Sequence, residues 1–308
     1  MKRFFVFCGI LLGFTVVLLG VNEWINRYFL FAAQVAPTYK MHRLFYESGS
    51  EEIPVLGSSR AFVHVIPSEL SPRVFNYGMD GSRMDQVLFQ LRYIVSIPSP
   101  HPVLVNIDPW GFPRNVPDPQ SFVSEGYMLV SSHPYVAPAV TWNSIPPADR
   151  LPGIRFYGSL RQNFSAWREA RTLGGTRLDH GARLFYTRRS GEEWTFIQEK
   201  EKAGHFSYSE EVWGPVLRDI YLHAKRPIVW LVAPAASYYR ETYAGLEELH
   251  RFLREQAQRP NVAVFDAFTD SNYGYELFKD GTHLNVWGAQ RYTYELRTFL
   301  SKRGFLSH

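Results

Sequence analysis

Cysteine is almost missing from this chain: of 308 residues only Cys8 is one, and it sits inside an apolar run near the start. Everything downstream is therefore without structural disulfides, Cys-ligated zinc or a thiol nucleophile. Runs of five or more Lys/Arg are also absent, and 33 basic against 29 acidic residues leave an excess of four spread along the chain. Such a balance argues against a nucleic-acid partner. There is no phosphate-cradling G-x-x-x-x-G-K-[ST] and no G-x-G-x-x-G after a strand, so nucleotide use is not expected. His133, His180, His205, His223 and His250 show neither H-x-x-x-H nor clustered ligand spacing, which predicts no metal and no other cofactor. Internal repeats and low-complexity tracts are lacking too. With 45% hydrophobic and 16% aromatic residues, disorder and collagen are excluded and one sizeable core is affordable.

What is present begins with Phe4 to Val21, eighteen residues without a charge. As a helix this run reaches roughly 27 Å, close to the hydrocarbon thickness of a bilayer. The alternative is a cleaved signal peptide, but the run exceeds a usual apolar h-region and no A-x-A follows it in Asn22 to Asn26. Lys2 and Arg3 precede the run, while Glu23 offsets Arg27 beyond it, which places the N-terminus in the cytoplasm. The expectation is a single-pass anchor over residues 1–28 with the bilayer as its partner. A stalk at 29–50 and an extracytoplasmic domain at 51–308, periplasmic or on the outer side, would follow. Trp24, Tyr28, Phe29 and Phe31 suit an interfacial aromatic belt.

Past the stalk, short runs that are apolar on both faces alternate with amphipathic stretches. Ile53–Leu56, Val74–Tyr77, Val103–Ile107, Ile228–Val232 and Val262–Phe265 read as buried strands. Pro54 fits only near a strand's start. Helical spacing links Met84, Val87, Leu88, Leu91, Ile94 and Val95, then Val216 to Ala224, Leu246 to Leu253, and Ala289 to Leu300. Alternating strands and helices predict an α/β fold: a mainly parallel five-stranded sheet covered on both sides, a three-layer sandwich. Residues 112–208 break the pattern with many prolines and aromatics. They read as an insertion carrying short helices and a small hairpin packed over one sheet edge.

Two segments near opposite ends of the outer domain carry chemistry. In Val55-Leu56-Gly57-Ser58-Ser59-Arg60 a strand runs into a Gly-Ser-Ser turn, the position where parallel α/β sheets expose side chains and N–H groups to ligands. Taken alone, this reads sooner as an ordinary loop or helix cap. In Asp280-Gly281-Thr282-His283, a spacing of three lets the carboxylate reach the imidazole Nδ1 and leaves Nε2 outward, as a general base requires. Taken alone, it is equally a surface turn.

Together these segments resemble the SGNH (GDSL-like) hydrolase superfamily, with its flavodoxin-like sheet. The resemblance makes Ser59 the nucleophile, His283 the base and Asp280 its orienting acid. It further implies that Val74-Phe75-Asn76-Tyr77-Gly78-Met79-Asp80-Gly81 is a second block, whose final Gly81 joins the Ser59 amide in an oxyanion hole. Gly78 is the fallback in another register. The third block departs from the family: Asp108-Pro109-Trp110-Gly111 follows the third strand, with Trp110 where an Asn donor is usual. That departure, the Gly-Ser-Ser block and the anchor resemble the DltD-like branch and its relatives in exopolysaccharide O-acetylation. The implied function is a serine-dependent O-acyltransferase. It would move an acetyl or D-alanyl group onto a cell-envelope polysaccharide or teichoic-acid-like polymer, or another lipid-linked acyl acceptor. Its implied partner is a multispanning membrane-bound O-acyltransferase. An esterase or deacetylase with the same triad is the alternative, and a non-catalytic assembly partner the second alternative. Arg60, Trp110 and Asn285 are expected near substrate. Asp108 and Asp266 at strand ends could support the site. His64 and Asp85 lie near the blocks without an assignable partner.

Overall fold

The computed structural model describes residues 1–32, 34–35, 37–108, 112, 133–135, 168, 176–187 and 206–306. The chain divides into two compact units, Met1–Glu47 with Asp118–Leu173, and Ser48–Pro117 with Gly174–His308.

In the first unit a single helix covers Lys2–Ala32. Its stretch Lys2–Asn22 is long and apolar enough to cross a membrane, and none of it is buried within the protein. Phe5, Ile10, Leu12 and Phe14 all face outward. The segment read as a stalk contains a helix, Pro37–Tyr46, with Met41, Leu44 and Phe45 buried.

The second unit is α/β. Five parallel strands, β1 (Ile53–Leu56), β2 (Val74–Asn76), β3 (Val103–Asn106), β6 (Ile228–Val232) and β7 (Val262–Asp266), form one sheet in the order β2-β1-β3-β6-β7. A separate antiparallel hairpin joins β4 (Thr176–Asp179) to β5 (Ala182–Phe185). All five strands expected from the sequence are present, each within a residue or two of its expected end. Pro54 is accommodated because the β1–β3 register begins one residue later, at Val55 opposite Leu104.

Alternation along the strands sorts the core. Ile53, Val55, Leu104, Val229, Leu231 and Ala263 join one cluster with Tyr292, Leu296 and Leu300 of the last helix, Val286–Lys302. Trp230 lies between Val229 and Leu231 in sequence, so its side chain leaves the sheet on the other side. Its indole N–H donates to the Tyr221 hydroxyl at 3.0 Å and its ring meets Phe252. Those residues belong to the helices Glu210–His223 and Leu246–Ala257. The first of these starts well before the apolar spacing at Val216, because Ser209 caps it by accepting the Val212 N–H.

Within the stretch expected as an insertion, the hairpin is the regular element among the described residues. It leans on the β2 edge: the His180 carbonyl accepts the Asn76 N–H at 2.9 Å, and a Cβ on Gly181 would stand 2.3 Å from the Asn76 oxygen. Asp179 secures the hairpin by accepting the Ser68 N–H at 3.0 Å and the Ser68 hydroxyl.

Candidate active site

The strand order reverses direction between β1 and β3, the point where open parallel sheets leave a crevice at their carboxyl ends. Ser59 follows β1 there. The turn into it is tight: Gly57 has φ +148°, and a Cβ at that position would stand 2.7 Å from Ala61 Cβ and 2.9 Å from Asn106 Cβ. No other residue fits without displacing the first helical turn. Ser58 caps the short helix Ser59–His64 by accepting the Arg60 N–H at 3.3 Å. Every residue of that helix is buried except Ser59, so the fold presents one hydroxyl to the crevice.

His283 arrives from the other end of the unit. Its Nε2 lies 2.8 Å from Ser59 Oγ, across 224 positions of sequence. Its Nδ1 lies 2.8 Å and 3.0 Å from the two oxygens of Asp280. A carboxylate only accepts, so Nδ1 carries the ring proton and Nε2 is left to accept the serine proton. Burial alone would raise the Asp280 pKa, but the His283 ring and the N–H groups of Thr282 and His283 outweigh it and hold the carboxyl at about 2. Asp280 is thus an anion throughout the physiological range.

The loop that carries this pair is fixed at several points. Asp280 Oδ1 accepts the Thr282 and His283 N–H groups at 3.1 and 2.9 Å, an Asx-type turn that positions the base from its own acid. Gly281 has no left-handed backbone here; its carbonyl accepts the Ala236 N–H at 3.1 Å. Asn285 caps the last helix by accepting from Trp287 and Gly288, while its amide donates to the carbonyls of Glu276 and Phe278. His64, at the end of the helix Ser59–His64, accepts the Leu284 N–H on Nε2 at 3.0 Å. Burial, helped by the nearby charges of Arg60 and His283, holds the His64 pKa well below its ordinary value, so this ring is neutral.

Two residues expected near substrate sit elsewhere. Arg60 and Asn285 are each 1% exposed. The Arg60 guanidinium donates to the carbonyls of Ala233 and Pro234 and stands 3.9 Å from Asp108, and burial lowers its pKa. Both side chains donate to backbone carbonyls and hold the frame. Trp110 lies outside the described residues. Of the two strand-end acids, Asp108 accepts the Ser58 hydroxyl and so braces the residue beside Ser59. Asp266 accepts the Phe268 N–H at 2.9 Å and faces His250 at 3.6 Å; burial raises its pKa. Asp85 pairs with Arg83 at 2.6 Å.

For an oxyanion, the two glycines divide cleanly. The Gly78 N–H is already given to Asn76 Oδ1 at 2.9 Å, and its surroundings leave no room for a Cβ. Gly81 is exposed at φ +72°, has open space around it, and its N–H has no acceptor among the described residues. The Ser59 N–H is the first of its helix and has no partner within it. Sequence reasoning did not single out Asn106 at the end of β3. It is 1% exposed beside Gly57, and neither side-chain polar atom has a partner among the described residues. The His64–Leu284 and Ser58–Asp108 contacts left no spacing signal, since each is made by chain segments that only the fold brings together. Among the described residues no group of three or more His, Cys, Asp or Glu could hold a metal. No protein-family model matches the chain, and no curated protein matches it.

Proposed function

We propose that this protein is a membrane-anchored extracytoplasmic serine acyltransferase of the SGNH type, working through an acyl-Ser59 intermediate. One observation carries the reading: an alcohol from one end of the unit's sequence and an imidazole–carboxylate pair from the other stand in a continuous relay at 2.8 Å and 2.8 Å. Strand order, the helices near both strand parities and the three sequence blocks support extending the reading to a three-layer SGNH-like fold. The apolar N-terminal helix and the charges flanking it support the anchored, outward-facing topology.

In this reading His283 Nε2 takes the Ser59 proton as Oγ attacks an ester or thioester carbonyl. The N–H groups of Ser59 and Gly81 hold the developing oxyanion, and the Asp280 carboxylate stabilises the imidazolium. His283 then returns its proton to the leaving oxygen or sulfur, and the acyl-serine ester remains. An acceptor hydroxyl gives up its proton to the same nitrogen and attacks the acyl carbon, and Ser59 regains its proton as the ester breaks. The proposed acceptor is an envelope polysaccharide or teichoic-acid-like polymer, with a multispanning O-acyltransferase as the source of acyl groups.

Hydrolysis is the second reading, favoured by a specific feature: the side chains of His283 and Asp280 are 25% and 20% exposed, so water has access to the relay. Turnover of an aryl acetate with and without a glycan acceptor separates the two. Transfer predicts acylated glycan at the expense of free acetate; acetate release that no acceptor diminishes identifies an esterase. Unchanged polymer acylation in a Ser59→Ala strain would remove the serine from the mechanism and leave an assembly role.

A further inference from the structure

Among the described residues two arginines are buried, and both fork onto backbone carbonyls of the second unit, one at each rim of the sheet. Arg226 is 3% exposed and donates to the carbonyls of His101 at 3.0 Å and Glu52 at 2.6 Å, which stand just before β3 and β1 begin. Arg60 donates to the carbonyls of Ala233 and of Pro234, the second at 2.9 Å, just after β6 ends. The two forks are alike, but only the carboxyl rim carries Ser59.

Arg60 follows Ser59 directly, and its contacts tie the neighbouring strands β1, β3 and β6 at their carboxyl ends. Its N–H goes to the Ser58 hydroxyl oxygen at 3.3 Å, that hydroxyl donates to Asp108 beyond β3, and Asp108 stands 3.9 Å from the guanidinium. The connection continues past Pro234: the Ala236 N–H donates to the Gly281 carbonyl at 3.1 Å, and Gly281 lies between Asp280 and His283 in the chain. Just beyond His283, the Leu284 N–H is held by His64. The six-residue helix Ser59–His64 thus grips the loop of His283 on both sides, through His64 directly and through Arg60 by way of Ala233–Ala236. Within that frame Ser59 Oγ and His283 Nε2 meet at 2.8 Å.

A buried cation is a costly way to fill space, since apolar side chains of similar volume often serve stability as well or better. What the planar guanidinium adds is a rigid fork that fixes two acceptors in direction, which an ammonium does not. We propose that Arg60 is a positioning residue: it holds Ala233–Ala236, and with it the loop Asp280–Leu284, so that His283 Nε2 stays within reach of Ser59 Oγ. The inference rests on the serine mechanism proposed above and gives Arg60 no contact with substrate. Arg226 has the same fork at the opposite rim and serves the fold alone.

The test is the rate of fluorophosphonate labelling of Ser59 in the full chain in non-ionic detergent, expressed per folded molecule by near-ultraviolet circular dichroism. Arg60→Lys keeps the charge and loses the fork; its labelling rate and its kcat for an aryl acetate should fall about tenfold or more, since small misplacements of reacting groups are that costly. KM should stay within about twofold, because no contact with substrate is removed. Ala236→Pro breaks the same connection without touching a buried charge: Ala236 has φ −59°, which proline holds, and the substitution deletes the N–H given to Gly281. It should slow labelling in the same way, and it decides the matter if Arg60→Lys does not fold. Arg226→Lys is the control, expected to lower the melting temperature and leave the rate per folded molecule unchanged. An unchanged rate in folded Arg60→Lys or Ala236→Pro, a raised KM at unchanged kcat, or an equal loss in Arg226→Lys overturns the positioning role while the serine mechanism stands. An unlabelled Ser59 in the folded, unsubstituted chain overturns both.

Discussion

At the scale of single residues the relay makes unequal demands on its three members. Ser59→Ala removes the nucleophile, and turnover of an activated ester should fall on the order of 10⁴-fold or more. Asp280→Asn keeps size and burial but lets the amide donate to Nδ1, so the imidazole adopts the wrong tautomer; a loss of about 10⁴ in kcat is expected. Asp280 also leaves a signature in stability. Its pKa of about 2 lies below the ordinary 3.8. The carboxylate therefore stabilises the fold fully above about pH 5, and that contribution, about 2 kcal/mol, disappears as pH falls through 4 toward 2. Urea denaturation across that window should show the unsubstituted chain losing its advantage over Asp280→Asn; parallel curves would deny the depressed pKa. Gly57→Ala should destabilise by about 1–3 kcal/mol, because both φ and the Cβ clash oppose it. Gly81→Ala meets open space and should be the milder change in thermal unfolding.

At the scale of elements, the helix Ser59–His64 and the loop Asp280–Leu284 are separate pieces joined by His64. Its Nε2 holds the Leu284 N–H one residue beyond His283. His64→Leu leaves that amide buried without an acceptor, which should destabilise by about 1–3 kcal/mol and lower kcat while KM changes little. The pH response has a definite sign. The His64 pKa is lowered by burial, so the folded state refuses a proton that the unfolded chain takes up. Stability is therefore complete above about pH 6.5 and declines as pH falls below it. Chemical denaturation at pH 7.5 and 5.5 should show this decline in the unsubstituted chain and a smaller one in His64→Leu. Equal declines would assign the acid sensitivity to another group.

At the scale of the whole molecule, apolar periodicity made the sheet legible: strands buried on both faces, such as Val103–Asn106 and Ile228–Val232, have few alternatives. The Asp280–His283 spacing and the Gly-Ser-Ser turn were legible for the same reason, since each contact or conformation is local. The surroundings of Arg60 and Asn285 were not legible, because a polar residue looks the same in sequence whether it faces solvent or backbone. Their carbonyl partners, Ala233 and Pro234 for Arg60, Glu276 and Phe278 for Asn285, exist only after folding. The helix at Lys2–Asn22 makes its own prediction. The chain should remain with membranes through alkaline carbonate extraction. Leu12→Arg with Val16→Arg, about 2.5–3.5 kcal/mol each against insertion, should release it.

The account depends most on a Ser59 hydroxyl that His283 makes nucleophilic, and a fluorophosphonate probe reads that property directly. Intact membranes treated with the probe and digested for mass spectrometry should carry the phosphonyl adduct on the Ser59 peptide. Labelling should vanish in Ser59→Ala and fall steeply in a His283→Ala variant that still folds. An unlabelled Ser59 in folded protein, or labelling that survives loss of His283 at full rate, would contradict it.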